Sequence, residues 1–230
     1  MNKKKIVVLT GAGISAESGI KTFRDADGLW EGHDVMQVAS PQGFAANPEL
    51  VLDFYNQRRA QLDKVVPNTA HITLAELESQ YHVTIITQNV DDLHERGGSA
   101  NIIHLHGELR KIRSVEHPEL IYDYKDPIKL GDTCERGAQL RPHIVWFGEA
   151  VPMLEVAAAT TMNADILIII GTSMQVYPAA SLIGFTEPHI PKYFIDPRPA
   201  IHASDYPNLT IFAEKATSGV RRVVDILMQK

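Results

Sequence analysis

The sequence has a single cysteine among 230 residues, and this scarcity already limits its chemistry. One cysteine cannot form an internal disulfide, and it cannot supply a Cys₂ or Cys₄ metal site within one chain. Long apolar stretches are missing too. The longest runs, residues 6–9 and 166–170, fall far short of the roughly 20 residues that cross a bilayer. We therefore predict no membrane-spanning segment and no membrane partner.

Basic residues are outnumbered by acidic ones. The 22 Lys and Arg against 28 Asp and Glu leave a formal net charge of −6, which disfavours a broad basic face for nucleic acid. We thus predict no nucleic-acid partner. The basic first residues are not followed by a long apolar stretch of the signal-peptide type, so we expect a cytoplasmic protein.

Short β-branched runs alternate with helical segments along most of the chain. The runs are continuously apolar, which is typical of strands in a parallel sheet buried on both faces. The pattern therefore predicts an α/β fold with a parallel sheet and helices on both faces. The predicted strands are residues 6–10, 83–87, 102–103, 144–147, 166–170, 193–195 and 209–212. Two helices are predicted to begin after the caps Asn47 and Asn68. Two further helices are predicted at residues 153–163 and 218–228.

Two stretches, residues 30–67 and 108–141, do not follow this alternation. The first has helical patterns without a strand, and the second is charged and irregular. We predict that together they form a smaller inserted module, with the first as its helical part. The main domain is then predicted to comprise residues 1–29, 68–107 and 142–230.

A glycine-rich turn follows the first predicted strand directly. Residues 11–16 match the dinucleotide fingerprint G-x-G-x-x-A, in which glycines let backbone N–H groups approach a pyrophosphate at a helix N-terminus. The fingerprint also expects an acidic residue at the end of a second strand, about 20 positions later. Asp25 and Asp27 lie at about that distance, but in a predicted loop and not after a strand. This indicates a Rossmann-like domain, but not an ordinary dehydrogenase half-domain.

Three further polar clusters follow predicted strands. They are residues 88–91 (Gln-Asn-Val-Asp), 104–108 (His-Leu-His-Gly-Glu) and 171–173 (Gly-Thr-Ser). Open α/β sheets bind ligands at the carboxyl ends of their strands, so all of these clusters are expected to line one crevice with the glycine-rich turn. Caps and turns would explain any single cluster, but they explain the whole set less well.

These clusters have the order and spacing of the sirtuin family of NAD-dependent protein deacylases, which the sequence resembles from about residue 6 onward. The matching motifs are residues 11–20, 23–24, 87–91, 106–108, 147–149 and 171–173. Residues 22–30, Tyr55 and Arg58 are most similar to the bacterial branch related to sirtuin-5.

The resemblance implies NAD as the cofactor and assigns residues to its site. Phe23 would shield the nicotinamide side, Gln88 would contact the nicotinamide ribose, and Asp91 would bind the carboxamide. The full implied NAD set is Gly11, Ala12, Gly13, Ile14, Ser15, Phe23, Arg24, Trp30, Gln88, Asn89, Val90, Asp91, Gly171, Thr172, Ser173, Asp196 and Ala216. The implied substrate-peptide stretch is Val145, Trp146, Phe147, Gly148 and Glu149.

The resemblance also implies that His106 is the general base and that Asn89, with Gln88, contacts the nicotinamide ribose and orders a water. The implied reaction moves the acyl group of an acyl-lysine protein to ADP-ribose, giving nicotinamide, free lysine and O-acyl-ADP-ribose. A base must activate a ribose hydroxyl, and histidine suits this because its pKa of about 6.5 leaves it mostly neutral at pH 7. His104 is expected to point to the other face. His104, His71, His94 and His143 are all expected to have structural roles.

Tyr55 and Arg58 lie three positions apart and therefore on one face of the predicted helix. The resemblance implies that they bind the distal carboxylate of succinyl- or malonyl-lysine, for which Arg offers a bidentate fork. We accordingly expect removal of succinyl and malonyl groups, with deacetylation weaker.

Most sirtuins hold a structural zinc with two C-x-x-C pairs between the catalytic His and the F-G-E motif. Here the matching positions are Ser114, His117, Cys134 and Gly137, of which only His117 and Cys134 could ligate zinc. We predict no metal site and no structural zinc, with apolar packing in its place. The residues expected to supply this packing are Val115, Leu120, Ile121, Tyr122 and Tyr124.

Two other functions fit the same pocket. One is an NAD hydrolase or ADP-ribosyltransferase, and the other is a noncatalytic NAD-binding module. The complete set of Asn89, Asp91, His106 and the F-G-E stretch favours the deacylase. The protein targets and the oligomeric state do not follow from the sequence.

Overall fold

The structure is a computed structural model that describes residues 3–21 and 29–229. Its strands are β1 Lys5–Thr10, β2 Leu29–Trp30, β3 His33–Asp34, β4 His82–Thr87, β5 Ile102–His104, β6 Gly107–Ser114, β7 Ile121–Asp123, β8 Leu140–Ile144, β9 Ile166–Ile170, β10 Lys192–Ile195 and β11 Leu209–Phe212. Its α-helices are α1 Val35–Val38, α2 Pro41–Ala46, α3 Pro48–Leu62, α4 Thr69–Glu76, α5 Leu93–Arg96, α6 Leu154–Met162 and α7 Ala216–Met228.

Six of these strands form one parallel sheet in the order β11-β10-β9-β1-β4-β5. Alternate residues of the central strand β1 face opposite sides of the sheet. Ile6 and Val8 share a buried cluster with α4 and α7, whereas Val7 and Leu9 share one with α6 and the 3₁₀ segment Ala179–Phe185. The predicted α/β Rossmann-like sheet with helices on both faces is confirmed.

Local sequence signals place the two predicted helix starts correctly. The Asn47 side chain accepts a hydrogen bond from the backbone N–H of Leu50 at 3.1 Å, and the Asn68 side chain accepts one from Ala70 at 2.9 Å. Each cap satisfies one of the backbone donors that a helix leaves open at its first turn. Six of the seven predicted strands are also confirmed in the parallel sheet, with ends that differ by at most one residue, and the exception is the strand predicted at residues 144–147.

No α-helix follows the glycine-rich turn in the described residues up to Lys21. Two short 3₁₀ turns, Ala12–Ile14 and Ala16–Ser18, follow β1 instead. Gly19 ends the second turn in the left-handed region, at φ 96°, where glycine is unstrained. The loop backbone, rather than a long helix, therefore has to face any phosphate at this point.

The prediction of an irregular stretch at residues 108–141 is also wrong, because it holds most of a second sheet. Strands β7, β6 and β8 pair antiparallel in that order. The strand predicted at residues 144–147 ends at Ile144 and belongs to this sheet instead of the parallel one. Arg141, Pro142 and His143 interrupt the apolar pattern in β8, and the pattern therefore predicts a strand that begins too late in the sequence.

The second sheet packs beneath the long helix α3. Leu52 of α3 shares a buried cluster with Ile112, Ile128, Cys134 and Leu140 of the sheet and its loops. A two-stranded hairpin of β2 and β3 precedes α1. Within residues 3–21 and 29–229, no helix is both long and apolar enough to cross a membrane.

Candidate active site

One cavity of about 560 Å³ opens at the carboxyl ends of the parallel strands. The predicted site residues that line it are Gly11, Ala12, Gly13, Trp30, Tyr55, Gln88, Asn89, Val90, Asp91, His106, Val145, Trp146, Phe147, Gly148, Glu149, Gly171, Thr172, Ser173, Asp196 and Ala216. Ile14 and Ser15 lie fully buried behind the glycine-rich turn. Phe23 and Arg24 lie outside the described residues. Arg58 lines a small neighbouring cavity.

Two glycine-containing loops meet at the floor of the cavity. The N–H of Gly13 donates to the carbonyl of Gly171 at 2.8 Å. A Cβ at Gly13 would lie 2.5 Å from the Cα of Gly171, and one at Gly171 would lie 2.5 Å from the backbone nitrogen of Ile14. The close approach therefore requires glycine on both sides, which is the geometry that lets backbone N–H groups face a pyrophosphate.

A carboxylate missed by the sequence analysis ties this floor to the last helix. Glu17 accepts hydrogen bonds from the backbone N–H and the hydroxyl of Thr217, both at 3.0 Å. Thr217 lies in the first turn of α7, which has no side-chain cap of its own. Glu17 therefore caps a helix 200 positions further along the chain, and no local pattern would have revealed this.

His106 is held with one ring nitrogen committed and the other available. Its Nδ1–H donates to the backbone carbonyl of Gln88 at 3.0 Å, which leaves Nε2 as the acceptor. Burial lowers the pKa of His106 and outweighs the opposing effect of that hydrogen bond. The following Gly107 has φ 83°, and a Cβ there would lie 2.0 Å from the carbonyl oxygen of His143. The ring is thus a neutral base fixed on a rigid junction between the two sheets.

Three polar side chains beside His106 form a buried chain of hydrogen bonds. Asn89 donates from Nδ2 to the Ser15 hydroxyl at 3.1 Å, and that hydroxyl donates to Asp91 Oδ2 at 3.0 Å. The N–H of Leu93 donates to the other carboxylate oxygen of Asp91 at 3.1 Å. Burial raises the pKa of Asp91 to about 6. Such a carboxyl accepts hydrogen bonds when ionised and can also donate one when protonated.

The predicted substrate stretch is anchored by a cation–aromatic cluster. Trp146 donates from Nε1 to the hydroxyl of Tyr55 at 3.0 Å, and the guanidinium of Arg141 lies 3.2 Å from a Trp146 ring centroid. Arg141 and Arg113 both donate to the carboxylate of Glu149, at 2.7 Å and 3.0 Å. Glu149 also accepts the backbone N–H of Trp146 at 2.8 Å. The Glu149 carboxylate therefore stabilises the conformation of residues 145–149, to which it itself belongs.

Arg58 lies beside the large cavity, next to a smaller one of about 40 Å³. The two cavities share Ile20, Lys21, Trp30, Val90 and Asp91 as lining residues. The two cavities are therefore adjacent, and Arg58 lies on the side of the smaller one. Tyr55 lines the large cavity only and is otherwise fully buried, with its ring packed against Trp30, Phe54 and Trp146.

The other histidines are engaged away from the cavity or within the core. His104 Nε2 lies 2.6 Å from Glu95 and 3.6 Å from Glu108. Burial alone would lower the pKa of His104, but the two carboxylates raise it above its usual value. His94 lies 3.0 Å from the hydroxyl of Thr10 and packs edge-on against the buried ring of His71.

The positions that match the zinc pairs are joined by other contacts. Cys134 donates to the Ser114 hydroxyl across 3.4 Å, and the ring of His117 lies 3.4 Å from Arg136. In the part of the chain that the structure describes, the only three-residue group with metal-ligating geometry is Glu95, His104 and Glu108. Lys111 lies 2.6 Å from Glu108, so a cation already neutralises part of that group.

Comparison with known proteins agrees with this geometry. The sequence pattern of the Sir2 family matches residues 11–178. The chain is 63% identical over 195 residues to an NAD-dependent protein deacylase of Helicobacter pylori, covering 85% of each chain. It is 50% identical over 232 residues to one of Bacteroides thetaiotaomicron, covering 98% of each.

A solved structure described as a Sir2 homolog–NAD complex superposes on 99% of this chain and 90% of its own, with a TM-score of 0.87 and 39% identity. A parallel α/β sheet with a glycine-lined crevice at the carboxyl ends of its strands is typical of the class of Rossmann-like nucleotide-binding proteins. The chain belongs to the Sir2 family, the sirtuins.

Proposed function

We propose that this sirtuin removes succinyl and malonyl groups from protein lysines, with acetyl groups removed more weakly. NAD-dependent protein deacylation itself follows from membership of the family and from the deacylase relatives. The preference for an acidic acyl group rests on Arg58. Its Nε and Nη1 atoms are buried without a hydrogen-bond partner among the described residues. Buried guanidinium donors normally have acceptors, so this group favours an incoming carboxylate.

The residues at the cavity suit the chemistry in which NAD supplies a ribose carbon as acceptor and nicotinamide as leaving group. The backbone around Gly13 and Gly171 would hold the phosphates, and Asp91 would hold the carboxamide. His106 Nε2 would take a proton from a ribose hydroxyl, which is supported by the commitment of its Nδ1 to Gln88. Ser15 holds Asp91 directly from behind the glycine-rich turn, and Asn89, which lines the cavity, donates to Ser15.

Tyr55 and Arg58 divide the recognition of the acyl group. Because Trp146 donates to the Tyr55 oxygen, the hydroxyl hydrogen of Tyr55 can turn towards a bound carboxylate. Arg58 contributes charge and a planar fork, which an acetyl group cannot use. The difference in kcat/KM between succinyl-lysine and acetyl-lysine substrates should therefore depend on the guanidinium of Arg58.

Arg58→Met tests this preference directly. We expect kcat/KM for a succinyl-lysine peptide to fall about 100-fold, as for loss of a charged hydrogen-bond partner in a partly buried site. For the acetyl-lysine peptide of the same sequence we expect a change in kcat/KM within about threefold, since the acetyl group has no charge that could interact with Arg58. Product formation with NAD is measured by mass spectrometry for both peptides.

Arg136→Met is the matched control, because Arg136 is an exposed arginine of the second sheet region. It should leave both peptides unaffected. Survival of succinyl turnover in Arg58→Met while acetyl turnover falls would contradict the proposed preference. O-acyl-ADP-ribose as the product separates deacylation from simple NAD hydrolysis or ADP-ribosyl transfer.

We further propose that the second sheet region folds without zinc. The apolar cluster around Ile112 and Leu140, with the Cys134–Ser114 contact, supports this, because it fills the place between the two loops with packed side chains. Elemental analysis of the purified protein should give well under one zinc per chain. The melting temperature should also stay unchanged with a strong chelator. Stoichiometric zinc, or unfolding by the chelator, would contradict this.

A further inference from the structure

A tight hairpin turn beside Arg58 carries a second carboxylate, Glu31. Strands β2 and β3 pair Trp30 with His33, so Glu31 and Gly32 are the two central residues of the turn. Both have positive φ, 51° and 85°, as in the type I′ turn that matches the twist of a hairpin. Asn or Gly usually occupies the first of these positions, so glutamate here goes against the local preference. The presence of glutamate at this position must therefore be explained by the contacts of its side chain.

The Glu31 carboxylate lies between two cations. Oε2 lies 3.1 Å from Lys21 Nζ, and Oε1 lies 3.6 Å from Arg58 Nη1. The side chains of Glu31 and Arg58 are 16% and 15% exposed, whereas that of Lys21 is 72% exposed. All three line the small cavity. Glu31 is therefore a largely buried anion at the guanidinium, but too far from Nη1 to form a hydrogen bond with it.

We infer that Glu31 is a specificity-determining residue that competes with the acyl carboxylate of the substrate for Arg58. This inference rests on the proposed preference for acidic acyl groups. Lys21, Glu31 and Arg58 together carry two positive charges and one negative charge. A succinyl or malonyl carboxylate that enters the small cavity gains the attraction of Arg58 but meets the like charge of Glu31. An acetyl group carries no charge and is indifferent to both.

The turn gives this competition a structural basis. A two-residue turn holds Glu31 by backbone geometry, while its ion pair with the exposed Lys21 draws the carboxylate partly away from Arg58. The guanidinium thus keeps Nε and Nη1 without hydrogen-bond partners among the described residues. Glu31 therefore neutralises Arg58 only in part, which sets an intermediate affinity for acidic acyl groups.

Glu31→Gln is the decisive variant, because it keeps the size of the side chain and removes its charge. We expect the KM for a succinyl-lysine peptide to fall about fivefold with kcat unchanged, as for removal of one like charge at a partly buried site. The KM for the acetyl-lysine peptide should stay within about twofold, since the acetyl group carries no charge. Glu116→Gln is the control, because it makes the same charge change at an exposed position.

Two further variants keep the result interpretable. Glu31→Asn removes the charge and suits the turn, so it should lower the succinyl KM as Glu31→Gln does and should not lower the melting temperature. In an Arg58→Met background, Glu31→Gln should lower the succinyl KM by less than it does in the unmodified protein, because only the direct repulsion between the two carboxylates remains, and the acetyl KM should stay unchanged. An unchanged or raised succinyl KM in both Glu31 variants overturns the inference, and a raised one assigns Glu31 to holding Arg58 in place. If Arg58→Met alone leaves succinyl turnover intact, the proposed preference has failed instead.

Discussion

Replacing His106 with Asn should strongly lower the rate of deacylation of every acyl peptide while the fold is retained. General-base catalysis typically contributes about 10²–10⁴ in rate, so we expect kcat to fall by roughly that factor for succinyl and acetyl peptides alike. Asn can still hydrogen-bond to the Gln88 carbonyl, but it has no nitrogen that can take up a proton. Turnover is measured with saturating NAD, and NAD binding is measured separately by calorimetry.

The pH dependence gives a second readout of the same residue. Burial lowers the pKa of His106, so the base is in its neutral, active form above that lowered pKa and loses activity as the pH falls through it. The acid limb of kcat in the unmodified protein should therefore lie below the ordinary histidine pKa of about 6.5. The residual activity of His106→Asn should lack this limb.

His104→Asn is the matched control, because it is the same change two positions away. His104 is paired with Glu95 and is not among the residues that line the cavity. We expect it to keep most of the activity. Equal losses in the two variants, or an active His106→Asn enzyme, would remove His106 from the role of base.

The sequence is informative where structure depends on neighbours along the chain, and much less so where it depends on pairing between distant segments. Asn47 and Asn68 mark their helices because a cap bonds within three residues. The continuous apolar runs mark the parallel strands because both faces of that sheet are covered. The cluster around Glu149 has no such signal. Arg113 and Arg141 come together only through the antiparallel register of β6 and β8, 28 positions apart.

The same register brings two positive charges together, and the carboxylate of Glu149 compensates them. Arg113 and Arg141 lie directly opposite each other on neighbouring strands, a placement that is unfavourable for like charges. Glu149 accepts hydrogen bonds from both and holds the pair together. Burial alone would raise the pKa of Glu149, but the hydrogen bonds from Arg141 and Trp146 and the charges of both arginines lower it. The carboxylate therefore stays ionised at neutral pH.

Glu149→Gln should accordingly destabilise the protein strongly and weaken substrate binding. Removing one partner of a buried ion pair costs about 3–5 kcal/mol, and we expect about 2–4 kcal/mol here because the side chain of Glu149 keeps some contact with solvent. For a chain of this size, that corresponds to a fall in melting temperature of roughly 5–15 °C. The KM for acyl peptides should rise as well, because Trp146 and Phe147 lose the anchor that shapes their stretch.

A double variant separates the electrostatic cause from a loss of packing. Adding Arg113→Met to Glu149→Gln removes one of the two facing cations, so it should recover part of the lost melting temperature, whereas Arg113→Met alone should destabilise. Glu119→Gln is the control, because its pair with Arg136 is exposed and should contribute at most about 1 kcal/mol. If the double variant is less stable than Glu149→Gln, repulsion between Arg113 and Arg141 is not the cause. Glu149 would then act chiefly through its hydrogen bond to the backbone of Trp146.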